Sequence, residues 1–235
     1  MATFLLESRV KREIKPPSPK EFCEKVKEMV EKYEIIDCIY KKSVEEFSTL
    51  TIVELKEIHK MRILNPFLLD WGKMGRWLGH SGVEKIFLKI KTPSFASRIE
   101  PLRPLKLRSV NLSEYKREII AVFDELSQTE FKTGKTVNST ATSKVLHLCC
   151  PDFFIMWDTN IRSGYGKNNG DGQEYFEFLC KMQQDFLHQH QLSSVIRQFE
   201  KEYGLKPTRL IDLYNWAKFS ARHPWPLPDF YTHNL

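Results

Sequence analysis

The chain has 235 residues, with 36 Lys and Arg against 30 Asp and Glu and a formal net charge of +6. At 41% hydrophobic and 28% charged residues it fits neither a disordered nor a fibrous protein, and its length suffices to bury a sizeable core. No stretch approaches the roughly 20 uninterrupted apolar residues of a membrane span, and Phe4-Leu5-Leu6 is too short for a signal-peptide core.

The chain opens with a basic cluster, Lys11, Arg12 and Lys15. Ser18-Pro19 before Glu21 then reads as a helix start, with a capping Ser, Pro at the first position and an acid near the positive end of the dipole. Phe22, Val26, Met29, Val30 and Tyr33 form its apolar stripe. A second helix is predicted from Ser43 to Phe47. A third runs from Thr51 to about Leu64, with Val53, Leu55, Ile58 and Met61 inward and Asn65-Pro66 as its stop. Phe67 to Leu78 reads as helical, ended by Gly79-His80-Ser81-Gly82, and Val83 to Ile90 as one more short helix. From Thr92 to Asn111, Pro93, Pro101 and Pro104 break the pattern into a connection carrying Arg98, Arg103, Lys106 and Arg108, which suits either a nucleic-acid contact or a solvated loop.

Ser113 is expected to cap a helix that buries Tyr115, Ile119, Ile120, Val122, Phe123 and Leu126. The polar stretch Ser127 to Ser139 leads to a helix from about Thr140 to Cys150, ended by Pro151. Five cysteines, an odd number with Cys149 and Cys150 adjacent, point to reduced thiols in an intracellular protein, whether in cytoplasm, nucleoid or nucleus. Asp158 can cap a helix from Thr159, and Asn168 to Gly172 is a loop. Gly172 to Gln189, Ser193 to Tyr203 and Pro207 to Phe219 read as three closing helices before a tail with Pro224, Pro226 and Pro228. No alternating strand emerges, so the expected class is all-α.

No phosphate loop, Cys-x-x-Cys pair, metal spacing of His147, His188 and His190, or serine-hydrolase elbow is present. One segment of 26 residues, Ala141 to Gly166, stands apart. It is a helix carrying Lys144, a turn at Pro151, an apolar run, and then Trp157-Asp158-Thr159-Asn160-Ile161-Arg162. This resembles the core of the helix-hairpin-helix DNA glycosylase superfamily, in which a hairpin and a lysine-bearing helix lead to Val-Asp-Thr-x-(Val/Ile)-x-Arg. The likeness is to a divergent, archaeal-type member. The usual Leu-Pro-Gly-Val-Gly hairpin is replaced at most by Gly134-Lys135-Thr136, the four-cysteine iron–sulfur loop is missing, and the Lys144-to-Asp158 interval of 14 is short.

The resemblance implies two interlocked helical subdomains around a cleft, here divided as residues 1–112 and 113–235. It implies a monomeric, cofactor-free enzyme that excises a damaged base from double-stranded DNA, with no membrane partner. Asp158 would stabilise the oxocarbenium-like sugar or orient a water, although Asp is equally suited to be only the cap of the Thr159 helix. Lys144 would attack the sugar to form a Schiff base, with Lys135 as the alternative nucleophile; an ordinary snorkelling lysine is the plainer reading. A flipped base would be held by Trp71, Trp77 or Trp157 and read by Asn160 or Gln128, with His147 on the Lys144 face. Core roles are open for the tryptophans and for His147. Thr133, Gly134 and Thr136 would offer amides to a phosphate, and Arg162 would contact DNA or form a structural ion pair. A non-catalytic nucleic-acid-binding or interaction module that kept the fold is the competing expectation.

Overall fold

The computed structural model describes residues 14–220; the Lys11-Arg12 pair and the Pro-rich tail lie outside them. Helix α1 spans Pro19–Ser48, longer than expected, because nothing between Tyr33 and Ser43 breaks it and one buried stripe (Phe22, Val26, Met29, Ile36, Tyr40, Val44, Phe47) continues through both predicted helices. Ser18 caps it, accepting from the Glu21 N–H at 3.1 Å.

The segment after α1 departs from the sequence reading. It is a string of short turns: a 3-10 turn at Ile52–Glu54, one α turn (α2, Glu57–His59), and π-helical turns at Lys60–Leu64 and Pro66–Trp71. Asn65-Pro66 does not stop it, since Pro66 takes the first position of the next turn, where no N–H is required. The α-helical phase is lost across these turns. Val53, Ile58 and Met61 face solvent, while Leu55 is buried as expected and Ile63, Leu64, Phe67 and Leu68 are buried with it.

Gly79 to Gly82 begins a helix rather than ending one: α3 spans Gly79–Ile90. The expected irregular connection contains α4, Pro93–Ile99, opened by Thr92 and Pro93 in the manner of Ser18-Pro19, and a 3-10 turn at Glu100–Leu102. Asn111, not Ser113, caps the 3-10 turn Leu112–Tyr115 that leads into α5, Lys116–Ser127. The polar stretch holds a small antiparallel hairpin, β1 (Glu130–Lys132) and β2 (Lys135–Thr136), turning on Gly134 at φ 69°. Then follow α6 (Ser139–Cys149), α7 (Thr159–Gly164), α8 (Gly172–Met182) with a π turn at Gln183–Leu187, α9 (His190–Tyr203) and α10 (Pro207–Phe219). Apart from the hairpin, the described residues are helical or irregular.

Helix α1 packs along α10 and also touches α6 and α9, while α5 lies against α6 and α8. The buried side chains form one continuous core in which Phe22, Tyr40, Phe123, Trp157, Tyr175 and Tyr214 are among the largest. All five cysteines are free, with Cys149 and Cys150 buried. Among the described residues no helix is long and apolar enough to cross a membrane.

Candidate active site

The first and last long helices meet the lysine-bearing helix around a cavity of about 250 Å³, whose wall includes Lys144, Asp158, Arg209, Asp212, Trp71 and Trp216. Its volume is just below the roughly 300–1,000 Å³ of sites for drug-sized ligands.

Local hydrogen bonding explains how residues 14 apart come to share this wall. Asn138 caps α6 by accepting from the Ala141 N–H at 2.9 Å. The helix runs out to Cys149, turns at Pro151, and returns as the buried extended run Phe153 to Trp157. The Ser143 hydroxyl accepts from the Trp157 N–H at 3.1 Å and lies 3.0 Å from the Trp157 carbonyl. That clasp joins the residue before Lys144 to the residue before Asp158.

Asp158 is the cap of α7, its Oδ1 accepting from the Ile161 N–H at 2.8 Å. Its Oδ2 accepts from the Ser220 hydroxyl at 2.7 Å, which draws the end of α10 onto the site. The carboxylate is therefore held from two sides while remaining on the cavity wall.

Lys144 donates to the Gly72 carbonyl at 2.6 Å, and its ammonium lies 5.7 Å from the Trp71 ring centre. Gly72 is required by its own turn, because a Cβ there would lie 2.8 Å from the carbonyl oxygens of Phe67 and Leu68. Burial pushes the Lys144 amine down to about 8, against the opposing pull of Asp212 and Asp158. A lysine in this state supplies neutral amine near physiological pH.

Arg209 and Asp212 on the cavity wall belong to a buried ion cluster. Arg209 donates to Asp37 at 2.9 and 3.2 Å and pairs with Asp212. Its guanidinium sits 4.9 Å from the Trp71 ring centre, and the Trp71 indole N–H donates to Asp37 at 2.9 Å. Trp71 is thereby fixed by a stack on Phe67 (4.8 Å), a cation and a hydrogen bond together. Burial raises Asp212 to about 6, against the charges of Arg209 and Lys144. Trp216 meets Tyr33 edge-on at 5.0 Å on the same wall.

Several sequence-predicted site residues lie elsewhere. Trp157 touches the cavity but is 1% exposed, its ring packed among Phe123, Tyr175 and Phe178, so it is a core residue and no stacking surface. His147 faces away: buried, it lies 2.7 Å from the Phe154 carbonyl and 2.8 Å from the Tyr40 hydroxyl, and burial pushes it down to about 4. The consistent tautomer has Nδ1–H donating to Phe154 and Nε2 accepting from Tyr40. Asn160 is exposed on the first turn of α7, and Gln128 is exposed at the end of α5; neither is on the cavity wall.

Lys135, Thr133, Gly134 and Thr136 are exposed on the β-hairpin, and Lys135 lies over the Trp77 ring, outside the cavity. The short hairpin stands between α5 and α6 where the resemblance led to a helical hairpin. Trp77 is also outside the cavity, on the adjoining turn. Arg162 donates to the Ser139 hydroxyl at 3.1 Å and has no carboxylate partner among the described residues.

Sequence reasoning missed Arg209, Asp212 and Trp216, which fall on one face of α10 at helical spacing. The available signal was two opposite charges three residues apart among Leu210, Ile211, Leu213, Tyr214 and Trp216, since buried charges are costly unless paired. Among the described residues no group of three or more His, Cys, Asp or Glu side chains is arranged to hold a metal ion. No protein-family model, curated protein or solved structure matches the chain.

Proposed function

We propose that the protein is a DNA repair glycosylase that cleaves the N-glycosidic bond of a damaged base and, through Lys144, also cuts the strand at the resulting abasic site. The observation that carries this reading is a single one: a desolvated lysine and a helix-capping carboxylate share one cavity walled by Trp71 and Trp216. The cavity takes a heterocycle extruded from a duplex, with Trp216 as the wall ring on which it stacks and Trp71, already packed on Phe67 and Arg209, as an apolar side.

In this reading the neutral Lys144 amine attacks the anomeric carbon as the glycosidic bond breaks, and the proton it sheds leaves with the departing base. Asp158 faces the positive charge that develops on the sugar. Ring opening gives the Schiff base, and loss of a proton from the adjacent sugar carbon expels the 3′ phosphate. The Trp71–Arg209–Asp37 lattice keeps the wall rigid while this occurs.

The non-catalytic reading draws on one observation as well. Both carboxylate oxygens of Asp158 already accept hydrogen bonds, from Ile161 and Ser220, as a purely structural cap would. Incision assays over duplexes with deaminated, oxidised and alkylated bases, combined with borohydride trapping, separate the two. Base release with a covalent adduct that Lys144→Gln abolishes supports the enzyme; DNA binding without base release from any substrate leaves the binding module.

A further inference from the structure

The turn Gly72 to Leu78 contributes Gly72, Lys73 and Met74 to the cavity wall and then leaves it. Met74 and Leu78 anchor the turn in the core, while Gly75, Arg76 and Trp77 between them are exposed. Trp77 is 42% exposed and is the one aromatic among the large apolar side chains that face solvent in the described residues. A tryptophan in a Gly-rich turn has no local reason to be there, since burying it would contribute more than any other side chain.

The ring is also supported. Phe131 of β1 meets it edge-on at 6.3 Å, and the Lys135 ammonium lies 5.5 Å from its centre. Lys73, at the start of the turn, has φ 53°, the one non-glycine residue with positive φ among the described residues. Such a conformation is disfavoured for a residue that carries a side chain and persists only where the surroundings enforce it. The turn is therefore held in one shape with its indole outward.

Four cations lie on the turn and hairpin: Lys73, Arg76, Lys132 and Lys135. All four are exposed, and none has a carboxylate within ion-pair distance among the described residues. The acids next to them in sequence are Asp70 and Glu130, where Glu130 accepts from the Gly134 N–H at 2.8 Å, and Glu84 of the adjoining α3 is paired with Lys60. An outward aromatic ringed by unpaired cations is the combination that binds a nucleic-acid strand, the ring taking a base and the cations its phosphates.

We propose that Trp77 is a base-stacking platform for the DNA strand whose damaged nucleotide enters the cavity, with Lys73, Arg76 and Lys135 on its phosphates; this rests on the glycosylase reading of the cavity. The rim position follows from the chain itself, because the hairpin leads within four residues to Thr140 on the cavity wall. A base that stacks on Trp77 displaces Lys135, a flexible solvated side chain, onto its own phosphate at little cost. The hairpin thus serves DNA through Lys135 and Phe131.

The test is anisotropy of a labelled duplex bearing a tetrahydrofuran abasic analogue, titrated with the full chain at several salt concentrations. Stacking on an aromatic side chain is sensitive to alanine substitution, so Trp77→Ala is expected to weaken binding about 10-fold. Trp77→Phe, which keeps the contact with Phe131, should stay within about threefold of wild type. The double variant Lys73→Ala/Lys135→Ala should make the salt dependence shallower by about two phosphate contacts.

Binding by Trp77→Ala within about twofold of wild type, with an unchanged melting curve, overturns the platform. So does Trp77-dependent retention on anionic lipid vesicles in the absence of duplex binding. If Trp77→Ala loses binding while no base is released from any substrate, the platform stands and the glycosylase reading falls. If base release is found and Trp77→Ala matches wild type, the reverse holds.

Discussion

The pH dependence of covalent trapping on Lys144 follows from the geometry with a definite sign. Borohydride captures the Schiff base, and its formation needs the amine without its proton. With Lys144 lowered to about 8 by burial, about one molecule in ten carries neutral amine at pH 7. At the ordinary lysine value of 10.5 the fraction would be near one in 3,000, so burial raises the reactive population about 300-fold. Single-turnover trapping on a duplex with a preformed abasic site should therefore rise about tenfold per pH unit up to about 7 and level by about 9. Asp212→Asn removes the largest charge that stabilises the ammonium, so the plateau should begin at lower pH. Lys144→Gln should eliminate the adduct. Replacing the desolvated cation by Met should also raise stability at pH 7 by on the order of 1 kcal/mol, since burial favours the neutral group. A rate that keeps climbing to pH 10, or an adduct that survives Lys144→Gln and vanishes in Lys135→Gln, refutes the assignment of Lys144 as nucleophile.

Asp158→Asn keeps a capping oxygen, so melting should be nearly unchanged, but base release should fall about 10²–10³-fold with DNA affinity within a few-fold; wild-type activity in this variant would leave Asp158 a cap only. DNA affinity should fall steeply with salt and depend little on undamaged sequence, as checked by titrations from low to physiological salt; a flat response would sink the DNA reading. His147, held near 4 by burial, contributes stability that is present above about pH 6.5 and lost as pH falls toward 4, because the unfolded chain takes up the proton first. Denaturant unfolding at pH 7 and 4.5 should show this loss, on the order of 2 kcal/mol, and it should be smaller in His147→Gln. Trp157→Ala should cost about 3–5 kcal/mol by thermal unfolding, the size expected for a core ring, and a loss below about 1 kcal/mol would return Trp157 to the cavity surface.

What could be read in advance follows from which interactions are local. Caps and Pro-initiated turns are written in neighbouring residues, so α1 begins where Ser18-Pro19 says, α10 spans Pro207–Phe219 as expected, and Asp158 caps α7. The same signature stands at Thr92-Pro93 and starts α4, although Pro101 and Pro104 follow closely. The stretch from Thr51 to Trp71 was mis-phased because 3-10 and π turns carry no 3.6-residue stripe, and Val53, Ile58 and Met61 ended outside. Lys144 and Asp158 were recoverable from one 26-residue segment. Arg209, Asp212, Asp37 and Trp216 were not, since what unites them is the packing of α1 on α10, a contact between residues more than 150 apart.

That distribution bears on the short Lys144-to-Asp158 interval. The length of chain between the two residues does not decide whether they can act together; the Ser143–Trp157 clasp does. Five helical residues lead outward from Lys144 and the extended run leads back, which suffices once the two strands of this excursion are fastened at their base. An additional turn of helix would lengthen the excursion and leave the clasp in place. The short interval therefore does not keep Lys144 and Asp158 from sharing one cavity wall. What the clasp cannot supply is the environment, and that comes from α1 and α10, whose buried Asp37–Arg209–Asp212 cluster and Trp71 wall surround the lysine. Catalysis of the proposed kind needs both parts, a local fastening that brings amine and carboxylate together and a remote one that keeps the amine dry.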